Sequence, residues 1–459
     1  MTTRTTHETV ALLVQELGDA VSVDPSALNA TRADKSGHVA VGTPLAIVTA
    51  RSIADVQATM RIATLTGTPV VTRGAGTGLA GGAIADDGEI VLSTLAMNRI
   101  LEISADDELA VVEPGIINAE LNAVLATKGL WFAPDPASKA ISTVGGNIAT
   151  NAGGLLCAKY GVTREAVTGL TVVLADGTLL ELGHRTVKGV TGLDLTALFI
   201  GSEGTLGVIV GATLRLRRLP VGTAATIGAY FSSVEAAARA AAVITSSGLR
   251  PAVMELLDPG AMAGISDYLG IPHRAGSYLL VQHDGPGAIV EADAALAVIT
   301  SLGGDAELST DPVEAERLFA IRRAFHPAME ARGTVLIEDV CVPRSALPAM
   351  FQAISDIEVR FGVDIPTVAH AGDGNLHPNF VFTADPDAPG EVPANIWAAA
   401  DEMFLAALRL GGTLTGEHGV GLLKKRWLGD ELGGPQLELQ RQVKGVFDPQ
   451  GLLNPNKVF

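Results

Sequence analysis

Two histidines, His370 and His377, stand in the run PTVAHAGDGNLHPNFVF, residues 366–382, on either side of Asp373-Gly374. An Asp-Gly pair between apolar runs signals a two-residue type I′ hairpin. With that pair at the turn, His370 faces His377 directly, and directly opposed residues have Cβ atoms about 4.5–5.5 Å apart. Asn379, two residues beyond His377, lies on the same face. Two imidazoles so placed can share one divalent cation, and the third ligand would be a carboxylate from elsewhere in the chain. The run GGTLTGEHGVG, residues 411–421, sets Glu417 and His418 among glycines, where backbone can be drawn into a site. Two His and one Glu with open positions suit Zn²⁺ in a catalytic role, or Fe²⁺ or Mn²⁺. Spacing alone leaves open a hairpin whose two rings cap it by hydrogen bonding.

A second kind of chemistry is written in glycine. The chain has 52 Gly in 459 residues, well above the usual share of about 7%. VVTRGAGTGLAGG, residues 70–82, satisfies G-x-G-x-x-G at Gly76, Gly78 and Gly81. A dinucleotide fingerprint of the Rossmann kind needs a helix to open at those glycines. The sequence instead runs GGAIADDGEIVLS, a turn into a short strand, which excludes it. What is left is a strand followed by a loop of bare N–H groups able to cradle a pyrophosphate, with Arg73 at its mouth. A tight loop between strands is the alternative. PDPASKAISTVGGNIATNAGG, residues 134–154, puts Asn147, Thr150 and Asn151 beside backbone stripped of side chains, a surface that can lie along a flat, polar-edged ring. Its alternative is a buried irregular loop, tolerable only with many internal hydrogen bonds.

Positioning these segments requires two α+β patterns. Residues 6–20 have helical spacing. Residues 45–50, 52–66 and TPVVTRG read as β-α-β, with Ser52 and Asp55 at capping-box spacing. Short strands follow at 89–93, 99–103, 109–113, 170–175, 178–182 and 207–216, with a helix over 116–128 and Asp176-Gly177 as a hairpin turn. Arg217-Arg218-Leu219-Pro220 reads as a boundary. Beyond it, helices are predicted over 233–247, 313–332, 344–361 and 395–410, and the final FDPQGLLNPNKVF as loop. Glu338 and Asp339 are given no role, and a solvent-facing place fits them.

Composition narrows the function classes. Hydrophobic residues make up 47%, so cores can form, and the formal charge is −18. That charge repels phosphate backbones, so nucleic acid is not an expected partner. Residues 140–158 carry no charge but are too rich in Gly, Asn and hydroxyls to face lipid. The N-terminus shows no apolar run of a signal peptide. Cys157 and Cys341 make no disulfide framework, which fits a reducing cytoplasm; Cys157 reads as a buried small hydrophobe.

RGAGTGLAGG, then PDPASKAISTVGGNIATNAGG, then GSEGTLGVIV at 201–210, taken in that order, resemble the FAD-binding domain of the vanillyl-alcohol oxidase/p-cresol methylhydroxylase superfamily. From about residue 40 onward the chain resembles its FAD-linked D-2-hydroxyacid dehydrogenases: D-lactate dehydrogenase, the glycolate oxidase large subunit and D-2-hydroxyglutarate dehydrogenase. The resemblance implies an α+β fold. An N-terminal helical segment (1–39) would precede a two-part FAD-binding domain of the p-cresol methylhydroxylase type (40–219). An α+β substrate and metal domain with an antiparallel sheet (220–459) would follow, its tail returning to the flavin.

Site residues follow by position. Arg73, Gly74, Ala75, Gly76, Thr77 and Gly78 would hold the pyrophosphate. Pro134, Ser142, Thr143, Gly145, Gly146, Asn147, Ala149 and Asn151 would line the isoalloxazine and ribityl region. Glu203, Gly204 and Ile209 would meet the adenosine side, and Asn454 of Asn454-Pro455 would bring the tail back. Thr77 and Gly78 stand where some members link FAD to His, so FAD is expected to be non-covalent. The motifs H-x-G-D-G-N-x-H and G-E-H-G imply His370, His377 and Glu417 as ligands of a divalent metal (Zn, with Mn or Fe as options) and His418 as general base. Arg322, after the helical run EAERLFAIRR, would bind the substrate carboxylate, with a solvated helix face as its alternative, and Asn379 would join the catalytic set.

The implied reaction is oxidation of a D-2-hydroxyacid to the 2-oxoacid with hydride transfer to flavin. Ile337 replaces a basic residue of dicarboxylate-oxidising relatives, which favours D-lactate or glycolate over D-2-hydroxyglutarate. No His-His-His run is present, which sets aside the related ether-lipid synthases. A flavin-binding electron-transfer subunit without catalysis of its own is the reading from another class. With no NAD fingerprint, Fe–S cysteine cluster or haem motif, electrons would leave to an external acceptor such as a cytochrome, a quinone or an electron-transfer flavoprotein. A homo-oligomer is compatible with the sequence.

Overall fold

The computed structural model describes residues 6–274, 276–385 and 391–459; residues 1–5 of the expected N-terminal segment lie outside that set. The chain divides into two compact units, one of 1–153, 161–219 and 417–459, the other of 154–160 and 220–416.

In the first unit the predicted β-α-β forms a parallel layer. Ala46–Thr49 and Val70–Arg73 both pair in parallel with Ile90–Ser93, and Val21–Ser22 adds an antiparallel edge. The helix Ile53–Thr66 starts where its cap predicts. Ser52 accepts from the Asp55 N–H, Asp55 accepts from the Ser52 N–H, and Gly67 ends it in the left-handed conformation. A five-stranded antiparallel sheet follows in the order 100–104, 109–112, 208–215, 167–173, 179–183. Asp176-Gly177 does turn the chain between the last two, with Val173 opposite Leu179. Residues 144–150 form a short helix rather than irregular backbone. Thr143 caps it by accepting from the Gly146 N–H, and Asn151 closes it at φ 52°. The helical stretch Leu428–Phe447 is two helices joined at a kink, where Gly433 leaves helical geometry at φ 71°; it is absent from the sequence reading because Gly433, Gly434 and Pro435 interrupt its pattern. From its last turn Lys444 donates to Asp448 and to the carbonyls of Thr205 and Leu453, and beyond it the Asn454 N–H bonds to the Val70 carbonyl. The tail is thereby seated beside the strand that leads into the glycine loop.

The second unit is an eight-stranded antiparallel sheet. Its order is 305–309, 225–231, 277–283, 253–257, 367–370, 375–382, 334–337, with 340–341 also on 375–382. Helices 259–269, 312–323 and 325–330 contribute to a core around Tyr278, Leu318, Phe325 and Val368. The predicted single helix over 313–332 is thus two, separated at Ala324. Glu338 and Asp339 are fully buried, not solvent-facing.

The histidine hairpin is corrected in its register. His370 pairs with Asn375 and Val368 with His377. A type I′ turn needs positive φ at both central residues, but only Gly374 has it, at 94°. Asp373 instead accepts from the Asn375 N–H, and the N–H groups of Asp373 and Gly374 both bond to the His370 carbonyl, so residues 371–374 form a four-residue turn. The shift is by an even number of positions, so His370 and His377 stay on one face.

Asp258 ties this hairpin into the unit. Its carboxyl accepts from the N–H of Ala261, capping a helix, and from the N–H of Thr367, at the start of the first histidine strand. Asp258→Ala leaves both buried donors unmet and is expected to lower unfolding free energy by about 2–4 kcal/mol, read as a lowered denaturant midpoint at unchanged slope.

Candidate active site

His370 and His377 of the predicted metal set lie in the second unit, and Glu417 and His418 follow in the chain directly on its last residue, Gly416. The rings of His370 and His377 stand 4.9 Å apart, centroid to centroid, at 82°. His370, His377 and Glu417 each present a ligand atom within 4.8 Å of the others; Asp339, His377 and His418 do so as well. Glu417 and His418 are the first residues past Gly416, whose N–H, with the Thr415 hydroxyl, is held by the Asp339 carboxylate. Gly416 passes so close to Asn375 that a Cβ there would collide with the amide. A short tether from a fixed point therefore sets where Glu417 falls. The donors are two neutral-capable imidazoles and a carboxylate, chemistry that fits a catalytic divalent cation.

Behind the rings lie two acids that sequence reasoning missed. Glu255 is fully buried; its Oε1 accepts from His370 Nδ1 at 2.6 Å and its Oε2 from Arg322 Nε at 2.6 Å. Burial pushes the Glu255 carboxyl upward, but the His370 ring and the Arg322 guanidinium more than offset it and hold it below its ordinary range. Asp339 Oδ1 lies 3.8 Å from His377 Nδ1. Carboxylates at the far ring nitrogen of metal-binding histidines recur in metal sites, where they fix ring orientation.

Arg322 is not on a solvated face: its side chain is 11% exposed. Among the described residues, no protein acceptor takes its Nη groups, which leaves a fork able to bind a carboxylate. Asn379 is buried on the face of His377. Its Nδ2 donates to the His377 carbonyl, and its Oδ1 has no protein partner among the described residues. Ile337 is the cross-strand partner of Asn379. Cys157 is half-buried, not fully buried.

In the first unit the glycine loop follows the strand Val70–Arg73 as predicted, with no helix opening at its glycines. Arg73 backs the loop: its Nη groups donate to the carbonyls of Ala83 and Ala33. A Cβ on Gly76 would collide with that guanidinium, so Gly74 to Gly78 run as bare backbone over it, with Ala75 and Thr77 half-buried between them. In the second motif the polar groups meet one another. Asn118 donates to the Pro134 carbonyl and to Asn147, and Asn147 donates to Ser142. Gly145 sits against Pro114, and a Cβ there would lie 2.6 Å from it; Ala149 accepts at its carbonyl from the Glu203 N–H. Asn151 accepts from the Arg164 N–H. Asn454 donates to the carbonyls of Gly82 and Glu203 and so joins the tail to the loop, while its buried Oδ1 has no protein partner among the described residues. Gly204 takes φ 73°, and Ile209 is buried in the strand Val208–Arg215. A bare-backbone cradle plus an orphaned amide oxygen fits an elongated phosphate-bearing cofactor.

Glu203 has a further task. Its carboxylate accepts from the N–H groups of Val420 and Gly421, at 2.7 and 2.9 Å, and so holds the backbone just after His418.

Residues 44–183 match the FAD binding domain family, and residues 223–458 match the C-terminal domain of FAD linked oxidases. The glycolate oxidase subunit GlcD of Bacillus subtilis is 39% identical over 422 residues, 91% of this chain and 89% of that one. The D-2-hydroxyglutarate dehydrogenase of Stutzerimonas stutzeri is 34% identical over 461 residues, 96% of each chain. A crystal structure of p-cresol methylhydroxylase superposes with TM-score 0.79 over 98% of this chain and 96% of that one, at 18% identity, a likeness of fold. The fold and site define an FAD-linked oxidoreductase, with FAD as its cofactor. The chain belongs to the FAD-linked D-2-hydroxyacid oxidase family. Among the described residues, no helix is long and apolar enough to cross a membrane.

Burial pushes the Glu203 carboxyl up, against the pull of the Val420 and Gly421 N–H groups and Lys424, to about 7. A carboxyl raised in the folded state holds its proton more tightly there, so the stability it contributes is full below its unfolded pKa and is lost as pH rises toward 7. Unfolding free energy should therefore fall between pH 4.5 and 7.5 by on the order of 3 kcal/mol more in wild type than in Glu203→Gln. Denaturant titrations of both proteins across that range check it.

Proposed function

We propose that this protein oxidises a small D-2-hydroxyacid, D-lactate or glycolate, to the 2-oxoacid. The observation that carries the reading is the convergence of His370, His377 and Glu417, with His418 adjoining and Arg322 presenting unpaired Nη donors. When bound, FAD supplies the hydride acceptor and a divalent cation supplies Lewis acidity toward the substrate hydroxyl. Residues 73–78, 142–151, 203–209 and 454 would hold FAD without a covalent link, and His370, His377 and Glu417 would hold the cation, with Zn favoured.

The chain's own groups then have separable tasks. Arg322 receives the substrate carboxylate through its two Nη groups and fixes which end enters. Asn379 offers its unpaired Oδ1 to a substrate hydroxyl or a bound water. His418 takes the hydroxyl proton, the general-base work that an imidazole commonly performs. Ile337, across from Asn379, offers no charge to a second carboxylate, which favours a monocarboxylate over D-2-hydroxyglutarate. Residues 40–219 serve as the FAD-binding domain and 220–459 as the substrate and metal domain. Electrons leave to an external carrier, a cytochrome, a quinone or an electron-transfer flavoprotein, in the cytoplasm.

His418→Asn should lower turnover by roughly 10²-fold or more while flavin stays bound; unchanged turnover removes the base assignment and favours a flavin subunit that only relays electrons. Anaerobic D-lactate or glycolate should bleach the flavin band near 450 nm. Prior treatment with EDTA should slow that bleaching, and added Zn²⁺ or Mn²⁺ should restore it. Bleaching at an unaltered rate in metal-free protein would remove the cation from the reading.

A further inference from the structure

Glu255 stands on the strand Val253–Leu257, every residue of which is buried. Its neighbours in VMELL are apolar, and a lone carboxylate buried among them is costly unless paired. An apolar residue of similar volume would often serve stability at least as well, so a buried acid here calls for a task. Register supplies the first part of it. Glu255 pairs directly with His370 across the two strands, and its Oε1 takes the ring's Nδ1–H. That bond leaves Nε2 as the ring's lone-pair nitrogen, the form a metal ligand needs. Oε2 supplies the second part. It takes Arg322 Nε–H and so fixes the plane of the guanidinium, while both Nη groups stay open for a carboxylate.

Resting on the function proposed above, we propose that Glu255 is a positioning residue that aligns a metal ligand with the substrate-carboxylate arginine. One side chain then sets both the tautomer of His370 and the aim of Arg322. Both bonds are to donors, so both oxygens must accept. A Gln at this position can accept at one atom only and brings an N–H against the other donor.

The test uses Glu255→Gln as the flavin-loaded protein, with flavin content as the check of folding. Zn²⁺ affinity, read by competition with a chelator, should fall by about 10- to 100-fold. KM for D-lactate should rise by roughly 10- to 100-fold, as expected of a displaced clamp. In metal-free wild type, long-range ¹⁵N–¹H spectra should show His370 protonated at Nδ1, and Glu255→Gln should lose that state. An Nε2–H ring in wild type overturns the proposal, as does a variant with wild-type Zn²⁺ affinity and KM. If Glu255→Gln fails to retain flavin, Arg322→Lys decides. With the carboxylate still on His370, its Zn²⁺ affinity should match wild type while KM rises; joint loss of both would overturn the assignment of separate oxygens to separate tasks. The tautomer is read without metal or substrate, so its result stands even if wild type binds no cation and the proposed function fails.

Discussion

Burying ionisable groups inside a sheet is tolerated only when each has a partner, and the second unit is arranged around that requirement. His370 and Arg322 are buried with Glu255 between them, and His377 has Asp339 at its far nitrogen. Removing one member of a buried, hydrogen-bonded pair typically costs about 3–5 kcal/mol, because the other is left charged and dry. The strands 253–257, 367–370 and 375–382 must therefore keep their register for the polar groups to meet. Asp258 and the four-residue turn at 371–374 are the local devices that keep it.

The first unit solves a different problem with different residues. The cofactor site proposed there is made mostly of backbone, and its polar side chains hold that backbone in shape. Arg73 supports the glycine loop from beneath, Asn118, Asn147 and Ser142 bond to one another, and Asn454 joins the tail to the loop. Glu203 reaches instead to the N–H groups that follow His418. An acidic residue within a proposed cofactor motif can thus act on the scaffold. Position in a motif shows where a residue stands, while its hydrogen bonds show what it holds.

These two construction styles explain what the sequence disclosed. Local signals were legible: the Ser52–Asp55 capping box, the Asp176-Gly177 turn, and a glycine loop that does not open a helix. The histidine pair was legible through parity. The turn is two residues longer than Asp-Gly predicts, but an even shift leaves both rings on one face. Glu255 was not legible, because it lies 115 residues from His370 and reads as one acid in a buried strand. Asp339 looked like a surface residue because nothing in IEDVC shows that Gly416, far along the chain, brings its N–H to it. The helix at 144–150 was hidden by two glycines of low helix propensity, and its cap at Thr143 was the one local clue.

The account stands on one cation held by His370, His377 and Glu417. Anomalous diffraction at the zinc edge, from crystals of the flavin-loaded protein equilibrated with Zn²⁺, tests it most directly. The predicted result is a single strong peak about 2.0–2.2 Å from a ring nitrogen of each histidine and from a Glu417 carboxylate oxygen. A map with no peak there at full zinc loading, or a peak bound by other residues, contradicts it.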